Sequence, residues 1–187
     1  LDSTYEKVFM GENAGRVWVH AHHGVNNLED IFSKLRYMII GLDCRWMVVD
    51  HLHMFVLATL ESDERKAIDG IMHRLRTMVE ETGCGMILVS HLRRIDGNRG
   101  HENGIETGLN HLRGSQSIAQ LSDCVISLER NQQSEDELEA STTKVRVLKS
   151  RYTGDVGVAT QLMYDSETGR LRELGEYDES QFERDII

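Results

Sequence analysis

The chain has 187 residues, of which 40% are apolar and 28% charged, and carries a net charge of −10. That is enough chain for one domain with a proper core. It has no apolar run long enough to span a bilayer, and its acidic balance excludes nucleic-acid binding over the whole surface but not a local basic channel.

The three cysteines, Cys44, Cys84 and Cys124, lie far apart, each beside or within an expected strand. They read as buried free thiols of a reducing compartment, not as disulfides or a zinc site. The polar start, Leu1 to Lys7, has no signal-peptide character, and the chain contains no proline. Residues 1–15 read as loop. Arg16-Val17-Trp18-Val19-His20 alternates and is β-branched, which predicts a short strand. Asn26, with Glu29 three residues on, resembles a capping box. A helix should follow to about Ile40, burying Leu28, Ile31, Phe32, Leu35, Met38 and Ile39 and stopping at Gly41.

Arg45-Trp46-Met47-Val48-Val49-Asp50 is an apolar run ending in an acid. Such a run predicts a strand buried on both faces, as in a parallel sheet. Ligands sit outside the carboxyl ends of such strands, so Asp50 stands where an acid could hold Mg²⁺ beside a nucleotide phosphate. Ser62 opens a second helix to about Thr82, with one apolar stripe of Ile68, Ile71, Met72, Leu75, Met78 and Val79, closed by Gly83. Gly85 to Val89 is a second buried strand, ending in Ser90-His91.

From Leu92 to His111 periodicity fails, and glycines mix with Arg93, Arg94 and Arg99. A loop of that length in a compact domain is usually functional. Arg113-Gly114-Ser115 leads into a short helix, Gln116 to Ser122, and Cys124 to Leu128 is a strand. Residues 131–142 are polar and acidic, a hairpin loop or mobile insertion. Val145 to Leu148 is a strand. Val158 to Tyr164 and Leu171 to Leu174 predict an antiparallel pair joined at Ser166–Gly169. Alternating strands and helices give an α/β fold with a parallel core over residues 1–174, and 175–187 an acidic, disordered tail.

Several stretches occur in one order: Asp50 after its strand, Ser90-His91 after the next, Leu112-Arg113-Gly114-Ser115, Gln120 to Asp123, Leu128 to Gln133, and Lys149-Ser150-Arg151-Tyr152-Thr153-Gly154-Asp155. From about residue 16 to 174 the set resembles the helicase domain of the ring-shaped, DnaB-like replicative helicases with a RecA-like core. The likeness is nearest to the primase-helicases of short-tailed phages and their mitochondrial relative Twinkle. It implies a RecA-like, mostly parallel sheet flanked by helices, with an antiparallel C-terminal strand pair.

The resemblance also implies roles. Asp50 would be the Walker B acid for Mg²⁺, His91 the γ-phosphate sensor and Gln120 a second polar sensor. Arg151, with Lys149 beside it, would act on the nucleotide held by a neighbouring subunit. A planar guanidinium stabilises the charge that phosphoryl transfer spreads over equatorial oxygens. Arg130 and Tyr164 match residues that sandwich the base. Arg93, Arg94 and Arg99, with Arg113, Gly114 and Ser115, would contact single-stranded DNA. The implied cofactors are ATP or dTTP with Mg²⁺. The implied partners are single-stranded DNA, further copies in a hexameric or heptameric ring, a primase domain and a DNA polymerase, with no membrane. The implied place is the cytoplasm of an infected bacterium, with the mitochondrial matrix second.

No Gly-x-x-x-x-Gly-Lys-[Ser/Thr] loop occurs, and Gly11-Glu12-Asn13-Ala14-Gly15 is not one. The family's general-base glutamate would also lie upstream. The start without Met, and the presence of His91 and Arg151, favour the C-terminal part of a longer helicase, inactive as this fragment alone. The alternatives are a degenerate ring or DNA-binding module that hydrolyses nothing, or another RecA-like ATPase of the recombinase or clock type.

Overall fold

The computed structural model describes residues 17–20, 27–93, 100–114 and 116–174. The chain divides into two compact units, Leu1–His91 and Leu92–Ile187.

In the first unit, Asn27 caps helix α1 (Leu28–Arg36), accepting the Asp30 N–H at 2.9 Å. Glu29 and Asp30 in its first turn and Lys34 and Arg36 in its last complement the helix dipole. The cap expected at Asn26 therefore falls one residue later, because Asn27 is the residue whose side chain reaches the free N–H groups; Asn26 itself lies outside the described residues. A π-helical turn, Tyr37–Gly41, ends the run. Strand β1 (Trp46–Val49) then precedes a short helix α2 (His53–Leu57) and the long helix α3 (Glu64–Thr82). Asp63 caps α3 by accepting the N–H groups of Arg65 and Lys66, and Gly83 ends it at φ +69°, a conformation that favours glycine.

Strand β2 (Gly85–Leu88) pairs parallel with β1, from Trp46 opposite Gly85 to Val49 opposite Leu88. Leu52 and Ile68 are completely buried, with Phe32, Phe55, Ile71, Met72, Leu75 and Met78 around them. The Phe32 and Phe55 rings lie 5.6 Å apart. Arg74 covers Phe32 at 3.8 Å while forking onto both Glu29 oxygens at 2.7 and 2.8 Å, which holds α1 to α3. The stripe read from the sequence of α3 is thus its buried face, except for half-buried Val79.

In the second unit a short 3₁₀ turn (Leu109–His111) precedes helix α4 (Gln116–Leu121). Strands β3 (Cys124–Arg130), β4 (Thr142–Ser150), β5 (Gly157–Asp165) and β6 (Arg170–Glu173) form one antiparallel sheet in chain order. The expected C-terminal pair is β5–β6, and it widens to four strands. Residues 131–142 hold a turn and a fifth helix, α5 (Glu137–Ser141), capped by Asp136. The acids there are used locally, since Glu139 accepts from Asn131 and Ser134.

Two further expectations change. Val17–His20 form no strand; alternation alone cannot supply the neighbouring chain that a ladder requires. Cys124 is exposed, not buried, while Cys84 is buried and Cys44 half-buried. Along β3 the pleat turns Val125, Ser127 and Glu129 inward, leaving Cys124, Ile126 and Leu128 on the outer face. The acidic stretch 175–187 lies outside the described residues. Among the described residues no helix is long and apolar enough to cross a membrane.

Candidate nucleotide and nucleic-acid site

The parallel pairing of β1 and β2 carries two candidate residues to the same edge. Asp50 directly follows β1, and His91 lies just beyond β2. The backbone continues this alignment past the strands: Val89 N–H donates to Val49 O and Leu52 N–H to Val89 O, both at 2.9 Å. Asp50 is exposed, as a group that meets a solvated ion should be, and its Oδ1 lies 3.8 Å from His51 Nδ1.

The imidazoles of His51 and His91 stack at 4.2 Å, and those of His53 and His91 at 5.3 Å. His53 Nε2 lies 3.5 Å from Glu64 Oε1. His51 and His53 were not singled out from sequence; the Asp-His-x-His spelling is the signal that was available. His51 and His53 each stack on His91, while their own rings are tilted by 40° at 6.1 Å. Among the described residues no group of three or more His, Cys, Asp or Glu side chains is placed to hold a metal. One exposed carboxylate suits a magnesium ion that arrives with phosphate and water ligands, not an all-protein cage. A groove of about 1050 Å³ runs beside Asp50 and His51, walled by Trp18, Met38, Arg45, Trp46 and Val48.

In the second unit, Gln120, Lys149 and Arg151 come together. Lys149, near the end of β4, directs its ammonium onto the carbonyls of Ala119, Gln120 and Ser122 at 2.6, 3.2 and 2.8 Å. An ammonium has three donors, and here all three face the negative end of α4. Arg151 lies just past β4, pairs with Asp123 at 2.9 Å and donates to Gln120 O at 3.1 Å, with 45% of its side chain exposed.

Arg130 and Tyr164 lie at one end of the sheet. Arg130 is opposite Thr143, Thr143 is opposite Leu162, and Tyr164 is two residues beyond Leu162. Directly opposed residues share a face, as do residues two apart, so Arg130 and Tyr164 are on the same face. Tyr164 is exposed, and Arg130 Nε donates to Ala140 O at 2.5 Å.

The described part of the long loop is tied to the sheet. Leu92 bridges to Leu112, and the Arg93 N–H donates to His111 O at 2.9 Å. Buried Glu129 accepts the Thr107 N–H at 2.8 Å, the Ser127 hydroxyl at 3.0 Å and Arg146 Nε at 3.1 Å. Burial works to raise the Glu129 pKa, but these donors outweigh it and hold the carboxyl below its usual range. Arg146 also reaches Glu106 at 2.8 Å. Nearby, burial foremost, with the adjacent His101 and Arg93, keeps the His111 imidazole below its ordinary pKa. Arg93 and Arg113 are exposed, and Gly114 has φ +106°, which favours glycine. Arg94, Arg99 and Ser115 lie outside the described residues. The Glu129–Arg146 pair was missed from sequence, because an acid in a strand spells the same whether it faces water or a loop.

Residues 10–173 match the family model of the DnaB-like helicase C terminal domain. The chain is 42% identical over 141 residues to the DNA helicase/primase of Enterobacteria phage T3, a stretch that covers 75% of this chain and 24% of that protein. It therefore spans about a quarter of that relative's length. Among solved structures it is similar to a KaiC-like protein of the hyperthermophilic archaeon Pyrococcus horikoshii OT3. That likeness has a TM-score of 0.58 and 14% identity and covers 93% of this chain and 64% of the other. At that identity it shows the fold alone, which is RecA-like α/β.

Proposed function

The chain belongs to the DnaB-like helicase C-terminal domain family, and on that premise we propose that it is the part of a replicative helicase that couples NTP hydrolysis at subunit interfaces to 5′-to-3′ movement on single-stranded DNA. The observation that carries this reading is the placement of Asp50 and His91 at one edge, beyond the carboxyl ends of paired parallel strands. Phosphoryl transfer asks little covalent chemistry of a protein; it asks for positioned charge.

In this reading Asp50 holds the nucleotide's Mg²⁺, which when bound neutralises charge on the phosphates. The His91 ring, steadied by His51 and His53, faces the terminal phosphate. Arg151 serves the nucleotide of the adjoining subunit in a hexameric or heptameric ring. Arg130 and Tyr164, on one face at the sheet end, flank the base of ATP or dTTP. The loop bearing Arg93, Arg94 and Arg99, with Arg113, Gly114 and Ser115 at its exit, follows the DNA backbone. The phage relative's name, helicase/primase, supports a primase domain elsewhere in the whole protein.

Mixed rings test the interface. Subunits with Arg151→Ala and subunits with Asp50→Asn should each be inactive as pure rings. Together they form some interfaces with both groups intact, and those should hydrolyse NTP. Removing an arginine finger costs about 10³ or more in rate, so slight recovery is measurable. Mixed rings that assemble on gel filtration yet fail even a single turnover would refute the trans role.

A further inference from the structure

Arg151 is held more firmly than a surface arginine at a strand end needs to be. Its backbone N–H donates to Asp123 O at 2.8 Å, and its guanidinium pairs with Asp123 Oδ1 at 2.9 Å. Main chain and side chain thus grip one residue. A second guanidinium N–H goes to Gln120 O at 3.1 Å. Lys149, two residues earlier, clamps the carbonyls of Ala119, Gln120 and Ser122 and so fixes the segment on which Asp123 sits. Among the described residues the guanidinium donates one hydrogen bond, to Gln120 O, and meets Asp123 as an ion pair, so most of its five N–H donors remain for an anion. Nearly half of the side chain stays exposed.

From this arrangement we infer that Asp123 is a positioning residue that aims Arg151 at the neighbouring subunit's nucleotide, with Lys149 as the brace behind it. The inference rests on the trans role of Arg151 proposed above. A free arginine must be ordered at each encounter, whereas one already tethered by Asp123 presents its fork in a single orientation. Asp123 touches no substrate itself. Its loss should lower kcat through a misplaced guanidinium and leave nucleotide binding in the same subunit alone. Lys149, whose three donors already have carbonyl partners, acts in the same way and not on phosphate.

The test uses the complete ring-forming protein carrying Asp123→Asn. NTP hydrolysis should lose roughly 10- to 100-fold in kcat, the scale of a small misplacement of a catalytic group, with KM little changed. Asp123→Glu, which keeps the charge, should recover part of the loss. Mixing then decides through which residue Asp123 acts. Asp123→Asn subunits mixed with Asp50→Asn subunits should regain hydrolysis. Mixed with Arg151→Ala subunits they should not, since every interface still lacks an aimed arginine.

Wild-type kcat in Asp123→Asn, or recovery of activity with Arg151→Ala partners, overturns the inference. Should Asp123→Asn rings fail to assemble on gel filtration, Asp123→Glu carries the same mixing test, with the same two results against it. The Arg151→Ala and Asp50→Asn mixture is the control. If it stays inactive, the trans reading fails. If it recovers while the Asp123→Asn and Asp50→Asn mixture does not, only the role of Asp123 falls.

Discussion

Glu129→Gln should loosen the loop around Thr107 without unfolding the sheet. The carboxylate is buried and accepts from Thr107 N–H, Ser127 Oγ and Arg146 Nε, at 2.8, 3.0 and 3.1 Å. All three donors meet Oε1, and Arg146 Nε also reaches Oε2 at 3.2 Å; a glutamine keeps one acceptor oxygen without the charge and sets an NH₂ against the arginine. Breaking a buried ion pair commonly costs about 3–5 kcal/mol. Here Arg146 keeps Glu106 as a second partner, though an exposed one with 78% of its side chain open to solvent. That lowers the expected cost to about 2–3 kcal/mol, near the penalty of about 1–3 kcal/mol for one orphaned buried group. At about 1.4 kcal/mol per tenfold, local opening around Thr107 should rise roughly 30- to 140-fold. Native-state hydrogen exchange at the Thr107 amide reads this directly. The sign with pH follows from the lowered pKa of Glu129. Its contribution is present above the unfolded carboxylate pKa and lost as pH falls through the folded one, so Thr107 protection should fade only in acid below the ordinary carboxylate range. Unchanged Thr107 exchange in Glu129→Gln would refute the anchoring role.

Asp50→Asn in the complete protein should abolish NTP hydrolysis, because it removes the charge proposed to hold the metal; normal turnover would rule out the Mg²⁺ role. Replacing Arg93, Arg94 and Arg99 together by Ala should weaken single-strand binding with little sequence dependence. The slope of log affinity against log salt should also shrink, as fewer counterions are released, and an unchanged slope would count against phosphate contact. Tyr164→Ala should raise KM for NTP by about 10-fold, the scale of one lost base–aromatic stack, while Tyr164→Phe leaves it unchanged; equal KM in both variants would remove Tyr164 from the base site.

Most of the local structure was legible because it depends on near neighbours. The α3 stripe from Ile68 to Met78 recurs at helical spacing, and Gly83 supplies the left-handed end, so both follow from residues within a turn or two. The apolar run before Asp50 likewise spells β1 and places its acid at the strand end, but not the expected burial on both faces, since Trp46 and Val48 are exposed. The strand expected at Arg16–His20 is not formed over Val17–His20, for the converse reason. A strand is completed by another chain segment, and alternation says nothing about whether one is there. The short helix α2 was missed because His53–Leu57 is too brief for a periodic signal, yet burial of Leu52 and Phe55 settles it.

The candidate site divides along the same line. Residue order alone told which chemistry was present: an acid and a histidine each following an apolar run, the Lys149-Ser150-Arg151 cations after another, and the arginine-bearing loop. Residue type and order carry that information, and the family membership rests on it. Which groups meet depends on the folded arrangement. The strand pairing of β1 with β2 stacks His51 and His53 on His91, the antiparallel ladder brings Arg146 beneath Glu129, and the end of β4 lies against the carbonyls of α4 and against Asp123. Those contacts join residues tens of positions apart, and their geometry is set by how strands register and helices end, neither of which any short stretch of sequence spells out.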